Sequence, residues 1–279
     1  MRVAFTADLH YGRNATGDAA VHALAESLAD RELDALVIAG DVALADPRAL
    51  IECLQLFSET APLRMVLPGN HDLWTTGRGA DSLAIRDRIF PEAVRLAGFH
   101  NLDSTPLTVG DIGFAGSVGW YDYSFADPTL DIPRSCYEDK VLPGVSRWND
   151  GRFIRWDHTD ESFTALTLEG LRDQFALLAD AREIVVATHH LPFEALVRRR
   201  KIRAWSFANA FMGSARTGEV ILENPRVRLC VCGHSHIPAD VEVGGVRAVN
   251  TGSNYRVKRA VICEVGKGVP EVVEEIRTG

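Results

Sequence analysis

Short apolar runs recur along the chain, and within each run the hydrophobic residues do not alternate with polar ones. Continuous runs of this kind are typical of strands that are buried on both faces of a sheet. Each run is followed at once by polar residues with metal-binding or catalytic character. The runs cover residues 3–7, 35–39, 65–67, 184–187 and 229–232. The pattern therefore predicts five buried strands whose carboxyl ends carry the chemistry.

Helical spacing of apolar residues fills the sequence between these strands. Residues 18–31 and 159–181 show this period, and Asp46-Pro47 places an N-cap before a proline, which predicts a helix that ends near Ser58. Strands that alternate with helices indicate βαβ units and parallel sheets. Ligands of such sheets bind beyond the carboxyl ends of the strands, where the polar clusters lie.

Glycine-containing turns add a second kind of pattern. Turns within 109–112, 243–246 and 265–269 predict β-hairpins and thus an antiparallel component. The stretch 120–156 is rich in aromatic residues, contains three prolines and has no clean period, so we predict an elaborated loop there. Neither an internal repeat nor a Gly/Ser linker marks a domain boundary, and we expect one domain over 1–279.

Composition narrows the class of protein. The chain has 279 residues, of which 46% are hydrophobic and 24% charged, which is the balance of a globular protein that can bury a core without metal or disulfides. A metal ion would therefore serve chemistry rather than hold the fold. A formal charge of −8 has the wrong sign for binding nucleic acid by bulk electrostatics.

The cysteines and the amino terminus suggest where the protein works. Five scattered cysteines are an odd number, and the first residues lack the apolar segment of an export signal. Nor does any apolar run approach the length of a membrane span. We expect reduced thiols, a cytoplasmic location and no membrane partner.

The polar clusters supply a set of oxygen and nitrogen donors that needs no thiolate. Its members are Asp8, His10, Asp41, Asn70, His189, His234 and His236. One ion cannot use all of them, but two ions about 3.5–4 Å apart can if one carboxylate bridges them. Mixed oxygen and imidazole donors suit Mn, Fe, Zn or Co. The sequence thus predicts two metal ions of undetermined identity.

These motifs resemble the signature of the calcineurin-like metallophosphoesterase superfamily. That signature is D-x-H, G-D, G-N-H-[ED], H and G-H-x-H, and here it reads Asp8-Leu9-His10, Gly40-Asp41, Gly69-Asn70-His71-Asp72, His189 and Gly233-His234-Ser235-His236. The resemblance implies an α/β fold with two packed mixed β-sheets flanked by helices in four αββα layers. It also implies one metal held by Asp8, His10, Asp41 and His236, and another held by Asp41, Asn70, His189 and His234.

The resemblance further implies hydrolysis of a small phosphorylated substrate, either a phosphomonoester or a small phosphodiester such as a cyclic nucleotide. A hydroxide that bridges the metals would attack phosphorus, His71 would face the leaving group, and Asp72 would orient the His71 ring. The alternative is a metal-dependent nuclease, which the negative net charge disfavours. A non-catalytic interaction scaffold is a further alternative, and the complete ligand set argues against it.

Three segments are candidates for contact with substrate, each with a plainer interpretation. The basic run Arg198, Arg199 and Arg200 is either a solvated surface or a clamp for anionic groups. Trp120 and Tyr121 either pack the inserted loop or form a wall for a base or aryl group. His190 follows a candidate ligand and is expected to pack beside the metal site or touch substrate rather than bind metal.

Overall fold

Two mixed β-sheets of six strands each lie at the centre of the protein. A computed structural model describes residues 1–44, 46–75 and 81–279. In chain order the strands are β1 (Arg2–Thr6), β2 (Ala35–Ala39), β3 (Leu63–Leu67), β4 (His100–Asn101), β5 (Leu107–Val109), β6 (Ile112–Ser117), β7 (Val141–Leu142), β8 (Ser146–Arg147), β9 (Glu183–Thr188), β10 (Val227–Cys232), β11 (Ala239–Val243), β12 (Val246–Asn250), β13 (Lys258–Glu264) and β14 (Glu271–Thr278). The first sheet has the order β14-β13-β1-β2-β3-β4 and the second β11-β12-β10-β9-β6-β5, while β7 and β8 form a separate ribbon.

Each large sheet combines a parallel centre with antiparallel edges. Strands β1 to β4 run parallel, as do β6, β9, β10 and β12. The three predicted hairpins are confirmed as the antiparallel pairs β5/β6, β11/β12 and β13/β14. All five predicted strands are present, at β1, β2, β3, β9 and β10. Their carboxyl ends therefore meet along the same edges of the two sheets.

Helices flank the sheets. They are α1 (Ala15–Ala29), α2 (Pro47–Leu56), α3 (Ser82–Ala84), α4 (Phe90–Leu96), α5 (Arg134–Glu138), α6 (Asp150–Phe153), α7 (Asp160–Leu177), α8 (Arg203–Asn209) and α9 (Ala215–Leu222), with a π turn at Ile85–Ile89 and a 3-10 turn at Glu194–Leu196. Helix α2 begins at Pro47 as predicted, since the Asp46 carboxylate accepts from Arg48 N at 3.0 Å. Helix α1 begins three residues earlier than predicted because Asn14 caps it.

Successive side chains of a strand point to opposite faces of the sheet, so each sheet packs apolar side chains on both sides. Phe5 of β1 and Phe114 of β6 belong to a cluster between the two sheets. Ala4 points the other way, into a cluster with Val21 and Leu24 of α1. The outer face of the second sheet packs in the same way against α7 and α9. This arrangement confirms the four-layer αββα architecture.

The aromatic segment 120–156 builds a cluster of its own. It was predicted as an irregular loop, and it contains α5, the β7/β8 ribbon and α6. Its side chains Trp120 and Tyr121 pack with Phe163 of α7 and with Phe207 and Phe211, in and just after α8. The segment is thus a packed layer beside the carboxyl ends of the strands. Within the described residues the five cysteines are free, and no helix is both long and apolar enough to cross a membrane.

Candidate metal centre

The strand ends turn sharply where the candidate ligands lie. The ligands with a positive φ are Asp8 (55°), His10 (45°), Asp41 (54°), His234 (68°) and His236 (58°). A left-handed conformation costs a non-glycine residue about 1–3 kcal/mol and persists only where its surroundings hold it. Concentration of this strain at five candidate ligands is typical of a functional site.

Glycines let the ligand loops approach one another closely. A Cβ on Gly69 would lie 2.1 Å from Asp41 Oδ1, and one on Gly40 would lie 2.6 Å from His189 Nδ1. Gly40 also has a φ of +86°. Close contact therefore requires glycine at both positions, and at Gly40 the backbone conformation favours glycine as well.

One group of donors gathers around Asp8. The ligand atoms of Asp8, His10, Asp41 and His236 all lie within 4.8 Å of one another. His10 Nε2 is 3.1 Å from His236 Nε2, and His236 Nε2 is 3.4 Å from Asp8 Oδ1. His10 Nε2 is 3.5 Å from Asp41 Oδ2. Two imidazoles and two carboxylates thus converge on one small volume.

A second group contains Asp41, His189 and His234, with Asn70 beside it. The Nδ1 of His189 lies 2.9 Å from Ala39 O, and His234 Nε2 lies 3.1 Å from Phe211 O. A carbonyl only accepts, so these two nitrogens carry protons, and in a neutral ring the other nitrogen carries a lone pair. The other nitrogens, His189 Nε2 and His234 Nδ1, then present lone pairs to each other at 3.2 Å. A cation would turn this repulsion into attraction.

Burial makes the arrangement costly without a cation. The pKa of Asp41 is raised well above its usual value by burial and by the charges of Asp8 and Asp72. Burial and neighbouring imidazoles hold the pKa values of His10 and His234 well below the ordinary value, so these rings are neutral. Burial alone would raise the pKa of Asp8, but His236 and other histidines lower it overall. Neutral imidazoles and buried carboxylates are the donors that a divalent cation needs.

The two groups share Asp41 and have the membership that the family resemblance implies. The side-chain oxygen of Asn70 completes the second group, because its Oδ1 lies 3.1 Å from His189 Nε2. The donor chemistry therefore fits divalent cations, and Asp41 is the residue that the two groups share.

The two candidate catalytic residues lie at the same edge, but their relationship differs from the expectation. The His71 ring stacks on Trp74 with centroids 3.7 Å apart, and its Nε2 is 3.9 Å from Asp41 Oδ2. Asp72 was expected to orient this ring, and that expectation is wrong. Its carboxylate instead accepts from the backbone of Val42, Ala43 and Gly69 at 2.8–3.2 Å, and so it fixes the loops around Asp41.

Of the two interpretations of Trp120 and Tyr121, the wall for a base or aryl group is also wrong. Trp120 and Tyr121 have no exposed surface, because they pack against each other and against Phe163 and Phe211. Neither ring has a face open to a substrate, so the packing interpretation holds for both. His190 is also buried, with Nδ1 3.0 Å from Val118 O, and its ring is tilted against that of His234 with the centroids 4.3 Å apart.

The basic run divides into different roles. Arg199 donates to Phe125 O at 2.8 Å and to Glu194 at 2.6 Å, and these contacts hold its guanidinium away from the metal centre. Arg200 lies over the ring of Trp205. Arg198 lines the cavity that opens onto His71, His234 and His236. Only the first arginine of the run therefore faces the site.

Several residues at the centre escaped the sequence reasoning. Lys258 is buried and donates to Asp8 O at 3.1 Å and Asn254 O at 2.6 Å, which holds the turn after β1. The Tyr255 ring packs on His10 at 4.6 Å and on His236 at 4.9 Å. Asp150 accepts from the Asn70 amide at 2.9 Å. None of these residues belongs to a motif. In the sequence, only their position near a glycine turn or among aromatic residues could have indicated a role.

Comparisons with known proteins bear on the family and the fold. A family profile described as calcineurin-like phosphoesterase matches residues 1–238. A comparison with curated proteins gives no match. A phosphopantetheinyl hydrolase from Mycobacterium tuberculosis has a similar structure, with a TM-score of 0.66, 20% identity and coverage of 91% of this chain and 89% of that one. A dimetal phosphatase from Danio rerio has a TM-score of 0.57, 12% identity and coverage of 100% and 98%. At these identities the two structures show the fold alone.

Proposed function

The chain belongs to the calcineurin-like phosphoesterase family, and we propose that it hydrolyses small phosphoesters with two metal ions bound at this centre. The substrate is a phosphomonoester or a small phosphodiester. One ion would be held by Asp8, His10, Asp41 and His236, and the other by Asp41, Asn70, His189 and His234. The identity of the ions is among Mn, Fe, Zn and Co, since all accept oxygen and imidazole donors.

The convergence of lone pairs on two volumes that share Asp41 carries this proposal. His189 Nε2 faces both Asn70 Oδ1 at 3.1 Å and His234 Nδ1 at 3.2 Å, while His10 Nε2 faces His236 Nε2 at 3.1 Å. Where His189 Nε2 and His234 Nδ1 both carry lone pairs their contact is repulsive, and a cation bound among these donors would remove the repulsion. Bound ions would activate a water molecule and stabilise negative charge on the phosphoryl oxygens.

The chain's own residues supply the rest of the reaction. His71 lines the cavity beside the candidate ligands, and its stacking on Trp74 limits rotation of the ring. Burial lowers the pKa of His71 well below its usual value, so the neutral ring offers one N–H. We assign this N–H to the departing oxygen of the substrate, where a hydrogen bond favours breakage of the ester bond.

A panel of esters with separately supplied metals tests the proposal. The chelated protein is loaded with Mn, Fe, Zn or Co and assayed on phenyl phosphate, bis(4-nitrophenyl) phosphate, a cyclic nucleotide and DNA. A phosphopantetheinyl ester is added, because one structural neighbour is a phosphopantetheinyl hydrolase. We expect at least one metal to restore hydrolysis of a small ester, and Asp41→Asn to abolish it.

The same panel separates the alternatives. Hydrolysis of DNA with no turnover of small esters would favour the nuclease instead. Full metal loading with no turnover of any ester would contradict the enzymatic proposal and support an interaction scaffold.

A further inference from the structure

The cavity beside the metal centre, about 240 Å³ in volume, has two tryptophan walls that the fold already holds in place. Trp205 donates its Nε1 hydrogen to Arg198 O at 2.6 Å, and the Arg200 guanidinium lies 4.2 Å from the ring centroid. Trp148 donates to Asp150 Oδ2 at 2.7 Å, and its ring stacks on Phe211 at 5.2 Å. Because their polar atoms are already bonded, both rings offer only apolar surface to the cavity.

Two further residues of the cavity lining, Asn209 and Arg198, carry polar groups without a protein partner in the described part of the chain. Asn209 is only 3% exposed, and its Nδ2 has no hydrogen-bond partner among the described residues. An unpaired buried donor is unfavourable, and a ligand acceptor would satisfy it. In the described part of the chain no carboxylate pairs with Arg198, whereas the adjacent Arg199 is bound to Glu194. Asn209 and Arg198 thus both belong to the lining of a cavity with aromatic walls.

We propose that this cavity binds the organic part of the substrate and selects an aromatic phosphoester with a hydrogen-bond acceptor on its ring, such as a carboxylate or a carbonyl. The proposal rests on the proposed function, because His71, His234 and His236 border the same cavity and would place the phosphate at the metals. Ala208, Met212 and Ile237 add apolar surface to the lining, and Ser235 and Tyr255 each add a hydroxyl group. Fixed rings also lose little freedom when a ligand binds.

Three phosphonates that the enzyme cannot cleave test this subsite. Calorimetry on the metal-loaded protein compares methylphosphonate, phenylphosphonate and 4-carboxyphenylphosphonate. We expect phenylphosphonate to bind about tenfold more tightly than methylphosphonate, a factor that lies within the range for stacking on an aromatic side chain. The carboxylate should add a further gain of roughly fivefold or more through Arg198 and Asn209.

Variants assign each gain to its residue. Trp205→Ala should remove the gain from the phenyl ring, and Trp205→Phe, which keeps an aromatic ring, should retain most of it. Arg198→Ala and Asn209→Leu should reduce the gain from the carboxylate. Arg199→Ala is the matched control and should leave all three dissociation constants unchanged, because its guanidinium is bound to Phe125 O and Glu194.

Two results would overturn the subsite. One is equal affinity of wild-type protein for methylphosphonate and phenylphosphonate, and the other is an equal loss in Arg198→Ala and Arg199→Ala. Turnover of phenyl phosphate, measured in parallel, shows which proposal has failed. If turnover persists, the phosphoesterase stands and only the subsite is wrong. If no ester is hydrolysed and methylphosphonate does not bind, the proposed function fails and the subsite fails with it.

Discussion

The carboxylate of Asp150 accepts a hydrogen bond from the side-chain amide of Asn70 at 2.9 Å. Both residues are buried. Because Nδ2 of Asn70 donates to Asp150, Oδ1 of Asn70 faces His189. Asp150 also accepts from Trp74 Nε1 at 2.6 Å, from Tyr121 OH at 3.0 Å and from Trp148 Nε1 at 2.7 Å. One carboxylate in the inserted segment therefore orients a candidate metal ligand and a cavity wall together.

Replacement of Asp150 by asparagine should weaken the second metal site. An amide at this position cannot accept from four donors as a carboxylate does, so the Asn70 side chain loses its fixed orientation. Outer partners of metal ligands typically contribute 10–100-fold to metal affinity, and we expect a loss of about this size at one of the two sites. Metal titration followed by elemental analysis measures it.

Asp160→Asn is the matched control for that variant. Asp160 is a second buried carboxylate of the same layer, and it accepts from Trp120 Nε1 at 2.9 Å and from Lys140 Nζ at 2.6 Å without touching a candidate ligand. The Asp160→Asn variant should have a lower melting temperature and unchanged affinities for both metals. Equal effects of the two variants on metal binding would show that Asp150 acts through stability alone.

The hydrophobic pattern was enough to predict the strand ends, because the pattern of a buried strand lies within the strand's own residues. Buried parallel strands must be continuous apolar runs, so β2 was found at its full length and β1 within a residue. The order of motifs along the chain then placed Asp8, Asp41 and His189 at the same sheet edges. Nothing beyond the continuous apolar runs and the rule that ligands lie at carboxyl ends was needed.

Contacts between distant segments could not be predicted in this way. Asp150 and Asn70 are 80 residues apart, and no period links the segment that carries Asp150 to the motif that carries Asn70. Trp120 and Trp205 look alike in the sequence, yet one is fully buried while the other lines the cavity. Asp72 was misassigned because its neighbour in sequence is His71, whereas its partners in space are backbone amides.

Loss of the shared carboxylate should affect both metals at once. Asp41 belongs to both donor groups, so Asp41→Asn is expected to reduce metal content from about two ions per chain towards zero. His10→Ala removes a donor from the first group only and should mainly empty one site. Elemental analysis after loading with excess Mn or Zn distinguishes these outcomes. A wild-type protein that never exceeds one ion would contradict the dinuclear centre.

Close approach of Gly69 to Asp41 predicts a steric effect of a single methyl group. The added Cβ of Gly69→Ala would lie 2.1 Å from Asp41 Oδ1, so the loops must separate, at a cost of about 1–3 kcal/mol. We expect lower stability and lower metal content. Gly170→Ala in α7 is the control, since among the described residues nothing outside the adjacent helical backbone lies within 4 Å of the added Cβ, and it should stabilise the helix by up to about 1 kcal/mol. Chemical denaturation gives both values, and unchanged metal content in Gly69→Ala would refute the argument.

The role assigned to His71 predicts a dependence on the leaving group. His71→Ala should keep both metals, because the His71 ring is in neither donor group, yet it should slow hydrolysis of an alkyl phosphate by roughly 10²–10⁴-fold. With 4-nitrophenyl phosphate the loss should be much smaller, since nitrophenolate departs with little help from a donor. His158→Ala, on a histidine bonded to Ser162 at the start of α7, should change neither rate. An equal loss on both substrates would mean that His71 acts on binding or on the metals, because only a group that assists departure is sensitive to the stability of the leaving anion.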